Sequence, residues 1–305
     1  MFNQIQKKMN KVKTVFTVKD LENLSGIKAH TIRIWEKRYQ IFTPQRTENN
    51  IRLYENQDLT NLLNVSFLNN FGYKISKIAK LNEAERQELV KSIYNDKSKR
   101  ELAINDFKIA MLNFDAQLFH KVYDDVCKDK SFKDVFYNIF IPLLDEIGIL
   151  WQTGTIKPSH EHFISYLIKQ KLNSIIENLQ LNTAITNDKI FILFLPNNEV
   201  HDLGLMFVNA ELIQKGYQTV FLGDNIPLED LQDFINHFDD ITFISYFTVS
   251  PTPEEMTSYL KEFSTRILEN TTNQLWVLGK QTQYVDQLPK QIRKFSGIES
   301  LLAEI

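Results

Sequence analysis

The sequence predicts a multidomain chain that is helical for its first two thirds and α/β in its last third. Three observations carry this. Two short amphipathic segments separated by a glycine stand near the N-terminus. Apolar residues then recur at three- and four-residue spacing from about 83 to 185. From Lys189 the pattern changes to short, nearly continuous apolar runs alternating with helices. The expected segments are a helix-turn-helix head over 1–82, a helical bundle over 83–185 and a doubly wound parallel sheet over 186–305. A chain of 305 residues is long enough for two or three domains.

Composition narrows the class. No uninterrupted apolar stretch approaches the roughly 20 residues of a membrane span. The N-terminal "MFNQIQKKMNKVKTV" carries charge without an apolar signal core. Cys127 is the single cysteine, which excludes a disulfide framework within the chain. Together these absences predict a cytoplasmic protein. Net charge is −3, but residues 1–80 hold 14 lysines and arginines against six acids, so a head near +8 precedes a body near −11. Such asymmetry suits a nucleic-acid-binding head, although basic N-terminal tails are also common.

The head begins with "FTVKDLENLSGIKAHTIRIWEKRYQIF". Thr17 is placed to cap a first helix, with Asp20 as capping-box partner. Val18, Leu21 and Leu24 form its apolar stripe, and Gly26 ends it. A second helix is expected from about Lys28 to Tyr39, burying Ile27, Ile32 and Trp35. Its polar side carries His30, Thr31, Arg33, Lys37 and Arg38, groups able to reach phosphates and base edges. Pro44 stops that helix; "TENN" reads as a turn, "IRLY" as a strand and "NQDLTNLLNVSFLNNFG" as a further helix.

This stretch resembles the winged helix-turn-helix of MerR-type transcription regulators, through "TVKDLENLSGIKAHTIRIWEKRY", the wing "PQRTENNIRLY" and the "DL" helix start. The resemblance implies operator double-stranded DNA as partner. His30, Thr31, Arg33, Lys37 and Arg38 would serve the helix, and Arg46, Arg52 and Tyr54 the wing. Tyr54 reads equally well as a core residue. Relatives that sense metals or redox state use paired cysteines, which this chain lacks.

The middle reads as successive helices, with Phe132, Val135, Phe136, Ile139 and Phe140 marking one apolar face. About four helices in a bundle follow. Trp151 closes one of them, and after nine intervening residues, beginning "QTGTIKPS", Glu161 and His162 open the next. A tryptophan at a helix end also suits a core, and a glutamate in a first turn suits the helix dipole.

The last third contains the runs "KIFILFLP", "QTVFLG", "ITFISYF" and "QLWVLG" separated by helices. Doubly buried parallel strands are expected, with ligands at the loops beyond their C-terminal ends. The first such loop is Glu199-Val200-His201-Asp202-Leu203-Gly204. Glu199 can hold one ring nitrogen of His201 and leave the other to face a metal. Gly204 can let a bulky group approach the helix start. Zinc fits poorly, because no other His or Cys lies near in sequence. Phosphate-loop and dinucleotide glycine patterns are absent.

These residues resemble the cobalamin-binding signature. Glu199, His201 and Gly204 stand for its first part, with Asp202 beside them. Ser245-Tyr246-Phe247 follows about forty residues after Gly204, and then Gly279. The resemblance implies that His201 ligates cobalt from below, that Ser245 hydrogen-bonds the buried nucleotide tail, and that Gly204, Phe247 and Gly279 line its path. The chain departs from the pattern in three ways: Lys280 replaces a second glycine, Phe247 replaces a smaller residue, and the Ser245–Gly279 spacing is long.

Head, bundle and cobalamin domain in this order resemble the light-responsive repressors of the CarH and LitR type. That implies adenosylcobalamin as cofactor, with Trp151 over its adenosyl group, Glu161 bonded to it, and His162 able to take the vacant cobalt position after light. It also implies a homo-oligomer, dimer or tetramer, and a regulator rather than an enzyme. Two rival readings stand beside it. One is a corrinoid methyl carrier, which would have no use for a basic head. The other is a regulator with a degenerate cobalamin domain, controlled by a protein partner.

Overall fold

A computed structural model describes residues 15–93 and 96–305; the basic N-terminal residues 1–14 lie outside them. Compact packing divides the chain into two units, Met1–Leu167 and Ile168–Ile305.

In the first unit, α1 (Val18–Ser25) starts at Thr17. Its side chain accepts from the Asp20 backbone at 3.2 Å, while the Asp20 carboxylate accepts from the Thr17 backbone at 2.8 Å. Gly26 closes the helix in the left-handed region, with φ of 73°, a conformation that side-chain-bearing residues reach at a cost. Glu22 then accepts from the Ala29 backbone at 3.2 Å, so an acid of the first helix caps α2 (Ala29–Tyr39). That hydrogen bond holds the Glu22 carboxyl below its ordinary range, with Lys19 and Lys28 assisting. Leu21, Leu24, Ile32 and Trp35 are buried as expected, whereas Ile27 is only half-buried.

Three short strands complete the head: β1 (Val15–Phe16), β2 (Gln45–Arg46) and β3 (Arg52–Glu55), antiparallel in the order β1-β3-β2. The helix α3 (Asn56–Asn70) follows, burying Leu59, Leu62, Leu63, Val65, Phe67 and Leu68, and then the single turn α4 (Ile75–Ile78).

The bundle comprises α5 (Glu83–Ser92), α6 (Asp96–Asn113), α7 (Ala116–Cys127), α8 (Phe132–Val135) running through a π turn at Phe136–Phe140 into α9 (Ile141–Gln152), and α10 (Pro158–Asn182). Its core is aromatic. Phe107, Phe119, Phe136 and Phe140 are buried, with Phe107 5.0 Å from Phe119 and 5.5 Å from Phe140, ring to ring. Buried Lys108 joins bundle to head. Its Nζ donates to the Leu24 carbonyl at 3.4 Å and to Glu146 at 2.8 Å, which sets a cation against the last turn of α1.

The second unit is a five-stranded parallel sheet in the order β5-β4-β6-β7-β8. Its strands are β4 (Asn187–Phe194), β5 (Tyr217–Gly223), β6 (Ile241–Tyr246), β7 (Gln274–Leu278) and β8 (Ile292–Lys294). Between them lie α11 (Leu203–Gln214), α12 (Leu228–Ile235), α13 (Pro253–Phe263) and, last, α14 (Ile298–Leu302). The order reverses at β4, the first strand, so its C-terminal loop sits at the switch point where open α/β sheets hold ligands. One core cluster unites Ile192, Phe194, Phe243 and Phe247 with Met256, Leu260 and Phe263 of α13. Among the described residues no helix is long and apolar enough to cross a membrane.

Candidate functional site

The loop after β4 is built around a buried carboxylate. Glu199 is 0% exposed and accepts six hydrogen bonds. Its Oε1 takes the Val200 and His201 backbones at 3.0 Å each and His201 Nδ1 at 2.6 Å. Its Oε2 takes the successive backbones of Thr248, Val249 and Ser250 at 2.8, 2.7 and 3.0 Å, from the loop after β6. Burial alone would raise this carboxyl, but the His201 bond and the backbone donors outweigh it and hold it at about 2. Glu199 therefore stays charged, ties two ligand-side loops together, and fixes the His201 tautomer. With Nδ1 engaged as donor, the lone pair lies on Nε2, the atom a metal ligand requires. The His201 side chain is 47% exposed, at the C-terminal edge of the sheet.

Asp202 does not share this exposure. It is buried, and its carboxylate pairs with Lys169 Nζ. Among the described residues no group of three or more His, Cys, Asp and Glu is placed to hold a metal ion. The loop offers one oriented imidazole rather than a ligand cage, and His201 would hold a metal that brings its other ligands with it. The donor set thus fits the metal end of a corrinoid.

The remaining residues of the pattern fall differently from expectation. Gly204 opens α11 with its missing side chain filled by a neighbour: a methyl group there would stand 2.8 Å from Tyr246 Cε2. Strand alternation explains this. Phe243 and Phe247 point into the cluster with α13, and Ser245 shares their parity, so Tyr246 is the residue that faces Gly204. Ser245 is fully buried, with its hydroxyl unpartnered, on the face away from Gly204. Phe247, expected to line a ligand, is a core residue at 0% exposure, its ring 5.8 Å from that of Tyr259. Gly279 is needed for a close backbone approach: its φ is 104°, and a methyl there would meet the Phe247 carbonyl oxygen at 2.5 Å. Lys280 is exposed rather than turned into a pocket.

In the first unit, Trp151 ends α9 with 54% exposure, an unusual position for a residue expected to seek a core. Glu161 and His162 lie in the first turn of α10. Glu161 accepts from Ser165 Oγ at 3.0 Å, and His162 Nε2 stands 3.8 Å from its carboxylate with the ring 77% exposed. The loop joining these helices buries Thr155 and Ile156. Thr155 Oγ1 accepts from Asn23 Nδ2 of the head at 2.7 Å. Neither Asn23 nor Thr155 stands out in the sequence, since 132 residues separate them.

On α2, His30, Arg33, Lys37 and Arg38 are exposed; Thr31 is half-buried, with His30 Nε2 3.3 Å from its hydroxyl. The wing is tied to this helix through Glu36. Arg52 Nε donates to both its oxygens at 3.0 and 2.9 Å, and Tyr54 donates its hydroxyl at 2.9 Å. Tyr54 is 0% exposed, so its expected place on the DNA surface is corrected: it is core, and burial together with Glu36 pushes its hydroxyl pKa up. Arg46 remains exposed, Nη1 donating to Asn50 at 2.6 Å.

Comparison with known proteins matches the head and the helical bundle to described families. Residues 16–85 match the family described as MerR HTH family regulatory protein, and residues 103–176 match the B12 binding domain. The chain is 27% identical to the HTH-type transcriptional repressor CarH of Myxococcus xanthus over 214 residues, 68% of this chain and 70% of that protein. It is 24% identical to the HTH-type transcriptional repressor CarA of the same organism over 254 residues, 80% of this chain and 81% of that one. The Methanosarcina barkeri monomethylamine corrinoid protein shares the fold, with a TM-score of 0.55 at 11% identity, over 67% of this chain and 97% of its own. The chain thus carries a MerR-type helix-turn-helix head and a helical B12-binding domain, and over most of its length it is similar to transcriptional repressors.

Proposed function

We propose that the protein is a repressor whose hold on operator DNA and state of assembly are set by adenosylcobalamin and light. The observation that carries this reading is the six-bonded Glu199 orienting His201 at the switch point of the sheet, in a chain whose other end is a MerR-type head. His201 would hold the corrinoid metal through Nε2. Trp151, Glu161 and His162 are the residues we assign to the adenosyl side. A bound adenosylcobalamin would supply a cobalt–carbon bond that light breaks. Exposed His30, Arg33, Lys37, Arg38 and Arg46 would meet the duplex, and several heads in one oligomer would raise affinity through effective concentration. The repressor names of the CarH and CarA relatives support this direction of control.

Protein saturated with adenosylcobalamin in darkness should sediment as a larger species, shift operator DNA, and lose both properties after illumination. Binding with no light-dependent change in size or DNA affinity would contradict the photoreceptor reading. A regulator that answers to a protein partner instead is favoured by one observation, the Tyr246 ring beside Gly204. The absence of any corrinoid binding would leave that second reading.

A further inference from the structure

The loop chemistry and the space beside it select for different things. His201 and Glu199 are arranged to present one imidazole to a metal. If the resemblance to the cobalamin-binding signature holds, Gly204 at the start of α11 would make room for the nucleotide tail of a complete cobalamin. That position carries no side chain, and Tyr246 fills it. From the point where a methyl carbon at Gly204 would stand, Tyr246 Cε2 lies at 2.8 Å, Cδ2 at 3.2 Å and Cζ at 3.3 Å. Those distances put the half-buried ring where a side chain at position 204 would stand, so nothing the thickness of an aromatic base takes that place without moving the ring. On the opposite sheet face Phe247 packs among its α13 partners.

We propose that Tyr246 is a specificity-determining residue. Its ring penalises a nucleotide tail, so that the site takes corrinoids lacking the lower nucleotide in preference to complete cobalamin. This rests on the reading of His201 as the residue that holds a corrinoid. Lys280, exposed after β7, plays no part in the exclusion.

Equilibrium dialysis in darkness of the full chain against adenosylcobinamide, which has no nucleotide tail, and against adenosylcobalamin tests it. The wild type should bind the tail-less compound at least about tenfold more tightly. Tyr246→Ser should bring the two within about twofold by tightening adenosylcobalamin, while Tyr246→Phe, which keeps the ring, should preserve the wild-type preference. Equal binding of the two compounds by the wild type, or tighter binding of adenosylcobalamin, overturns the proposal without touching His201. If neither compound binds, both this inference and the proposed cofactor control fall. The wild-type comparison stands by itself should a variant fold poorly, which far-ultraviolet circular dichroism would reveal.

Discussion

Glu199 shows how one side chain sets the chemistry of its neighbour. A carboxylate at 0% exposure is tolerated because six donors surround it, and its pKa of about 2 shows that they outweigh the cost of burial. The folded value lies below the ordinary one, so the stability it contributes is full above about pH 4.5 and is lost as pH falls towards 2. Glu199→Gln should cost about 3 kcal/mol at pH 7, measured by urea unfolding, and progressively less below pH 4.5. A penalty that does not depend on pH would contradict this. The acid–histidine pair was legible in the sequence, because two residues of that chemistry ending an apolar strand have few other uses. Tyr54 and Phe247 were not. Each lies in or beside a strand of six residues or fewer, where alternation identifies two faces without saying which one is the core.

At the scale of elements, the head is held in shape by polar ties between pieces. Glu36 fastens the wing to α2, Glu22 caps α2 from α1, and Lys108 fastens α1 to the bundle. Arg33 is outside these ties and exposed. Arg33→Ala should therefore weaken binding to all duplex sequences, lower the slope of log affinity against log salt by about one, and leave corrinoid uptake unchanged. An unaltered slope in a salt-titrated gel shift would remove Arg33 from the phosphate contacts. The Asn23–Thr155 hydrogen bond joins α1 to the loop between Trp151 and Glu161. Asn23→Ala removes a bond worth about 1 kcal/mol, and should reduce the ratio of dark to illuminated DNA affinity while corrinoid binding persists. An unchanged ratio would show that this contact carries no signal. The start of α1 was readable from its capping box at Thr17 and Asp20, and β4 to β7 from their apolar runs, but β8, with the sequence IRK, carries no such run. The π turn within 132–152 and the ties between distant helices were not, since both depend on packing that local periodicity does not encode.

Over the whole molecule, the charge asymmetry of the sequence acquires a physical basis. The basic head presents exposed cations on α2, and the acidic body carries a sheet unit whose most deeply buried acid, Glu199, is committed to His201. A MerR-type head and a B12-binding domain in one chain give a ligand something to control. The sequence expectation of a helical head and bundle followed by a parallel sheet matches the architecture. What the sequence did not reveal is the Tyr246 ring beside Gly204, a contact set by strand parity across 42 positions. The most direct test of the account compares wild type with His201→Ala in darkness, each titrated with adenosylcobalamin under equilibrium dialysis. The account predicts saturable binding of one corrinoid per wild-type chain and at least about tenfold weaker binding by the variant. Equal binding by the two proteins, or none by the wild type, would contradict it.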